Sequence, residues 1–246
     1  KFTYTFMPNG AYENSLEVGT SVDVSLNLTV TDSAKTTGRD SDDSNKHFTI
    51  TNANDEVMIA DGQLADVTID SADESAGGSF IFTDKDVTDT HTVSSSVQVK
   101  LPDGKTADAT VENGEVTLED GTVLGTLEVT HNNDSTGGEP GKVSYTFKPS
   151  SEYLTSLGKD EATQLDLTFT VSDANGSEKT TSVSVTLTGS NDEVNISSDN
   201  FSTTPNEDGV YTGSLVFSDA DVTDTHTVTF EGLYGAENGT ALSVNT

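Results

Sequence analysis

The run Asp84-Lys85-Asp86-Val87-Thr88-Asp89-Thr90-His91-Thr92-Val93 carries three aspartates and an imidazole, and an acidic segment, Asn54-Asp55-Glu56-Val57, precedes it. Both recur, as Asn191-Asp192-Glu193-Val194 and then Asp219-Ala220-Asp221-Val222-Thr223-Asp224-Thr225-His226-Thr227-Val228. The octapeptide DVTDTHTV is identical in the two copies, while the sequence around it has diverged. In a D-x-D segment that is extended, both carboxylates point to one side. Two carboxylates about 4 Å apart repel by roughly 4 kcal/mol at an effective dielectric near 20. A folded loop that gathers them needs a cation, and Ca²⁺ fits, since it takes about six to eight oxygens from carboxylates and carbonyls.

Other chemistry finds less support. His91 and His226 occur once per copy with no zinc-ligand spacing around them, so each reads as a histidine bonding its own loop. Neither a G-x-S-x-G elbow nor an H-E-x-x-H helix is present. Paired carboxylates could serve a glycosidase, but tandem copies beside a linker are better explained by architecture. The expectation is a protein that is not an enzyme. The absence of cysteine removes disulfides, thiolate metal sites and thiol nucleophiles.

Charge narrows the partners. With 42 acidic against 11 basic residues the net charge is −31, and Arg39 is the single arginine, so nucleic acid and anionic membrane surfaces are excluded. No apolar run approaches the ~20 residues of a membrane helix, and the N-terminus has no signal-peptide pattern. Lys1 opens within a strand-like pattern, which suggests a piece of a longer chain. A hydrophobic content of 31 % with this acidity would on its own suggest disorder. The strand patterns argue against that.

Those patterns come in pairs. Residues 1–8 (KFTYTFMP) match 142–149 (KVSYTFKP), each reading as a half-buried strand. Crossovers with Tyr12 and Leu16, and with Tyr153 and Leu157, suit a single helical turn. Core strands follow, through Val22, Val24, Leu26, Leu28 and Val30 in one copy and Leu165, Leu167, Phe169 and Val171 in the other. Each ends in an aspartate loop, at Asp32 or at Asp173-Ala174-Asn175-Gly176, and a further strand leads into NDEV. In the first copy the loop after Asp32 is replaced by the insert SAKTTGRDSDDSNK.

Corresponding positions lie 135 to 141 residues apart. That period is long for a solenoid and suits a string of whole domains. With NDEV closing each domain, the chain divides into 1–57, the back half of one repeat, 58–194, a complete repeat, and 195–246, the front half of the next. Strands are expected at 66–70, 78–83, 92–101, 107–111, 116–129 with a turn near Asp120-Gly121, 142–148, 164–172 and 179–188. The fold class is all-β: tandem immunoglobulin- or cadherin-like Greek-key β-sandwiches joined by acidic Ca²⁺-binding linkers. In such a sandwich the incoming linker, the loop after the second strand and the loop before the last strand share one pole. For the central domain this gathers Asn54, Asp55 and Glu56 with Asp84, Asp86, Asp89, Asp173 and Asn175. The next junction would use Asp192, Glu193, Asp219, Asp221 and Asp224. Glu74 and Glu207 are further candidates.

A strand ending in TGSNDEV, followed by SLVFSDADVTDTHTV and preceded by YTFKPSSEYLTSL and LDLTFTVSDANG, resembles the VCBS-type repeats of large bacterial RTX adhesins, a branch of cadherin-like domains. The resemblance covers the whole chain. It implies a secreted, extracellular adhesin exported by a type I system, whose Ca²⁺-rigidified repeats form a stalk in attachment or biofilm formation. It also implies junction ligands at Asp55, Asp84, Asp86 and Asp173, and at Asp192, Asp219 and Asp221. Where such repeats carry NDAP this chain has NDEV, so a stiffening proline is replaced by valine. The partners expected are neighbouring repeats of the same chain, or other copies that complete the half-domains at the two ends into a fibre. A third reading is a Ca²⁺-dependent carbohydrate- or peptide-binding module, for which Tyr211 and Tyr234 are the aromatic candidates.

Overall fold

Period-two patterning becomes strand wherever a neighbour is available to pair with it, as seen in a computed structural model that describes residues 1–31, 41–202 and 204–229. The first unit holds a one-turn helix α1 (Gly10–Glu13) and an antiparallel hairpin of β1 (Ser21–Thr31) and β2 (Ser41–Thr51). Asp32 and Arg39 lie outside the described residues. In the central unit follow β3 (Met58–Ile59), β4 (Val67–Ile69), β5 (Ala76–Thr83), β6 (His91–Lys100), β7 (Thr106–Glu112), β8 (Glu115–Leu118), β9 (Val123–Asn133) and β10 (Gly141–Pro149). A second one-turn helix, α2 (Ser151–Thr155), leads to β11 (Ala162–Asp173) and β12 (Glu178–Thr188). The last described unit is the hairpin β13 (Asn195–Phe201) and β14 (Gly213–Ser218).

All eight segments expected in the central unit form strands, and the turn at Asp120-Gly121 separates β8 from β9. Both short helices start where a polar cap is available. Asn9 Oδ1 accepts from the Ala11 N–H at 3.1 Å, and Ser150 Oγ accepts from the Tyr153 N–H at 3.3 Å. Within the central unit only two-residue β3 was not expected, too short to show a period.

The central strands run in the order β3-β5-β10-β9-β8-β7-β6-β11-β12-β4, all antiparallel except the β12–β4 pair. This ladder bends over itself, bringing β4 against β5 and β3 against β12, so it packs as the two layers of a sandwich. A register shift at Val116/Thr117, where β8 meets β9, disrupts the ladder locally. Phe80 of one layer and Phe169 of the other lie 5.8 Å apart between ring centroids, and Tyr145 stands 5.0 Å from Phe169. Phe80, Phe82, Phe147, Leu165, Leu167, Phe169, Val185 and Leu187 are fully enclosed. Each such side chain contributes about 1.5–3 kcal/mol by leaving water. Val57 belongs to this core, one position ahead of the expected boundary.

The sequence repeat is also a ladder repeat. Ser21 pairs with Thr51 as Ala162 pairs with Thr188, and Met58 pairs with Thr83 as Asn195 pairs with Ser218. Residues 1–8 depart from expectation. They form no strand, and Phe2, Tyr4 and Phe6 are 78 %, 48 % and 47 % exposed. The matching strand, β10, is held on both sides by β5 and β9. Among the described residues the first unit has no such neighbours, and alternation alone does not hold a strand.

Candidate metal centre

The pleat that builds the core also delivers the acids. Phe80 and Phe82 face inward from β5, so Asp84, two residues on, continues the same inner row. Val171 and Asp173 stand in the same relation at the end of β11, where Asp173 pairs with His91. A turn closed by the Asp89 N–H donating to the Asp86 carbonyl, at 2.9 Å, folds Asp89 back toward them. Asp84, Asp89 and Asp173 are buried, and one carboxylate oxygen of each lies within 4.8 Å of the others. At that separation each pair of charges repels by about 3 kcal/mol at an effective dielectric near 20. The cluster could hold a metal ion.

Amide donors surround it. Asn54 Nδ2 donates to Asp173 Oδ2 at 3.1 Å, and Asn175 Nδ2 donates to Asp89 Oδ2 at 2.6 Å. Asp173 Oδ1 accepts from the N–H groups of Asn175 and Ser177, each at 2.8 Å. Burial opposes ionisation of Asp173, yet these bonds outweigh it and hold the acid below its ordinary range. Asp89 goes the other way. Burial, joined by repulsion from Asp86, Asp84 and Asp173, raises it despite the amide of Asn175.

His91 sits between two acids. Its ring is shielded from solvent, packed on Phe82 at 5.0 Å, and reaches Asp84 Oδ2 through Nε2 at 3.1 Å and Asp134 Oδ1 through Nδ1 at 2.6 Å. Burial disfavours the charged ring, but the bonds to Asp134 and Asp84 prevail and raise His91 above the usual histidine value. The expected bond to its own loop is present. The second, to Asp134, comes from the connection between β9 and β10.

The remaining expected ligands do other work. Asp86 is fully buried, and its Oδ2 accepts from the Asp55 N–H at 2.6 Å while Oδ1 accepts from Asn52 Nδ2 at 2.8 Å. It fastens the linker, and it is not one of the three clustered carboxylates. Asp55 pairs with Lys85 at 2.7 Å on the surface, where such a bridge contributes little. Glu56, Glu74 and Glu207 are exposed. Sequence reading passed over Asn52, because the second copy has Gly189 at that position and comparison of the repeats discards it.

At the second junction the loop geometry is repeated. Asp221 Oδ2 accepts from the Asp192 N–H at 2.8 Å, Asp219 Oδ1 from the Asp221 N–H at 3.1 Å, and His226 Nε2 lies 2.8 Å from Asp219 Oδ2. The hydrogen bond with His226 and that from the Asp221 N–H lower Asp219. Glu193 and Asp224 are exposed. Of the two aromatic candidates for ligand binding, Tyr211 is exposed and Tyr234 lies outside the described residues.

Among solved structures the chain is similar to a mutant of the SrpA adhesin from Streptococcus sanguinis, with 14 % identity and a TM-score of 0.27. The match covers 53 % of this chain and 57 % of that one, little more than half of the adhesin chain's length. No protein-family model and no curated protein matches the sequence.

Proposed function

We propose that the chain is a non-enzymatic stalk segment of a secreted bacterial surface adhesin, with Ca²⁺ at the acidic head of each repeat stiffening the rod. The observation that carries this reading is the buried set Asp84, Asp89 and Asp173, beside a linker that the same loop grips through Asp86. Turn-forming aspartates belong on the surface, and three that converge in the interior favour a cation. Direct bonds already join the first two units. The Val87 N–H donates to the Asn14 carbonyl at 3.1 Å, and Asn52 Nδ2 to Asp86 Oδ1 at 2.8 Å. A bound ion would fix the loop that supplies these contacts and so restrain the angle between repeats. The resemblance to VCBS-type repeats, with their role in attachment and biofilms, agrees. Extracellular modules bind Ca²⁺ at about 10⁻⁴–10⁻³ M, so external calcium would suffice.

Small-angle scattering of the chain in millimolar CaCl₂ and in EGTA tests the stalk. The maximum dimension should be longer and better defined with calcium, and an unchanged scattering curve would remove the reading.

A second reading concerns assembly, and the open half-cores favour it. Val57, Ile59 and Phe82 are at most 6 % exposed, whereas their counterparts Val194, Ile196 and Phe217 are 49 %, 60 % and 37 % exposed and line an apolar hollow. In the central unit Lys142, Val143, Ser144 and Tyr145 pair with Ile81, Phe80, Ser79 and Gly78. The same register would set Lys1, Phe2, Thr3 and Tyr4 against Val216, Leu215, Ser214 and Gly213 of a neighbouring repeat or another copy. Glycine is required at position 78, because a Cβ there would stand 2.9 Å from the Tyr145 ring, and Gly213 and Tyr4 preserve that pair. Sedimentation should give multiples of 25.8 kDa that grow with salt, as the charge of −31 is screened. Gly213→Val should return them to monomer. A monomer at high protein and salt concentration would rule out pairing between copies.

A further inference from the structure

The two junctions use the same loop but close it differently. At the first, Asn52 is 3 % exposed, and its Nδ2 donates both to Asp86 Oδ1 at 2.8 Å and to the Leu16 carbonyl at 3.0 Å. One amide nitrogen thus holds a carboxylate of the second unit to a carbonyl of the first. Thr88 adds a hydroxyl donor to that carbonyl at 3.4 Å.

At the second junction Gly189 stands where Asn52 would be, and the amide donor is missing. Asp221, the counterpart of Asp86, is 2 % exposed, and its Oδ1 is the one buried side-chain atom without a hydrogen-bond partner among the described residues. Leu157 is the counterpart of Leu16, and a Cβ on Gly189 would run into the carbonyl oxygens of Leu157 and Gly158. Thr223, the counterpart of Thr88, turns its hydroxyl to Glu161 Oε1 at 2.8 Å. The amide that donates to two acceptors at the first junction has no counterpart at the second, where Asp221 Oδ1 and the Leu157 carbonyl are both acceptors. Carboxylate and carbonyl oxygens can satisfy one another only through a proton or a cation. Glu161 and Asp224 both stand beside Gly158 and deepen the negative potential there.

We propose that a divalent cation, of the Ca²⁺ class, joins Asp221 to the Leu157 carbonyl, in the role that the Asn52 amide has at the first junction. The first junction is then closed at this point without metal, and the second opens when the metal is withdrawn. This rests on the reading of the acidic loops as cation sites, and it divides the joints of one stalk into permanent and calcium-gated ones.

Hydrogen exchange of the whole chain, with CaCl₂ alone as the probe, reads both junctions at equivalent amides. The Gly189 N–H donates to Glu161 and the Asn52 N–H to Thr20. Calcium should slow exchange at Gly189 by about tenfold or more and leave Asn52 nearly unchanged. Asp221→Asn, which supplies an amide donor, should make Gly189 slow with or without calcium. Asn52→Gly should make the amides around Thr20 calcium-dependent. Equal protection of both junctions by calcium, or an undiminished calcium response at Gly189 in Asp221→Asn, overturns the proposal. So does protection at Gly189 that appears in EDTA on mild acidification and not with calcium, since a carboxyl proton would then bridge the oxygens. If calcium protects the loops at 84–91 and 173–177 but not Gly189, this inference fails while the metal reading stands. If it protects neither, both fail.

Discussion

Replacing His91 by Ala should lower the unfolding free energy by about 3–5 kcal/mol, as expected when one partner of a buried ion pair is removed. The ring is enclosed and both nitrogens are used, one on Asp84 Oδ2 and one on Asp134 Oδ1. Its loss leaves two acids facing a void beside Phe82. Asp84 Oδ2 then lacks its hydrogen-bond partner inside the cluster. His91→Gln can restore one of the two bonds and should lose roughly half as much. His226 is a useful contrast, since its ring is one-quarter exposed and bonds to Asp219, so His226→Ala should cost less.

The sign of the pH dependence follows from the two shifts. His91 is raised, so its contribution is complete below the unfolded value of about 6.5 and is lost as pH rises through the folded value. Asp134 is lowered: burial pushes it up, but the bonds from the His91 N–H and ring and the Ser135 N–H prevail. Its contribution is complete above the unfolded value of about 3.9 and is lost as pH falls through the folded value. The pair therefore stabilises most between about pH 4 and 6.5. Urea unfolding in EDTA across this range should show the gap between wild type and His91→Ala narrowing above pH 6.5. A gap independent of pH would mean that the ring acts by packing alone.

The sequence showed the strands of the central unit because each is an alternating run with neighbours on both sides, so pattern and pairing agree. It misled at residues 1–8, where Phe2, Tyr4 and Phe6 keep the pattern but find no partner strands among the described residues. Among the acids, Asp84 and Asp173 could be placed because each lies two residues beyond an inward-facing core residue. Asp86 looked equivalent to them, and nothing in its local sequence reveals that a backbone N–H and an amide take its two oxygens. Asn52 was invisible for a related reason. A residue that closes one junction and has no counterpart at the other leaves no trace in the repeat. Asp134 reaches His91 across 43 residues of chain, a contact that only the β9–β10 connection creates.

The three clustered acids should separate into two kinds on mutation. Asp173 accepts from three donors, the N–H groups of Asn175 and Ser177 and the amide of Asn54. Asp173→Ala removes the acceptor of all three part-buried donors, and with roughly 0.5–1.5 kcal/mol for each lost hydrogen bond it should cost about 1.5–4 kcal/mol whether calcium is present or not. Asp89 is raised, chiefly by burial and further by its acidic neighbours, so its charge weakens the metal-free fold once pH passes the folded value. Asp89→Asn removes that charge and keeps an oxygen for Asn175 Nδ2. In EDTA at neutral pH it should match or exceed wild type. With calcium at about a hundred times its dissociation constant, wild type gains about 2.7 kcal/mol from an ion that binds only the folded state, and the variant lacks that gain. The order of the two melting temperatures should thus reverse when calcium is added. If Asp89→Asn gains as much from calcium as wild type, the ion is not held by Asp84, Asp89 and Asp173, and these carboxylates only shape the loops they close.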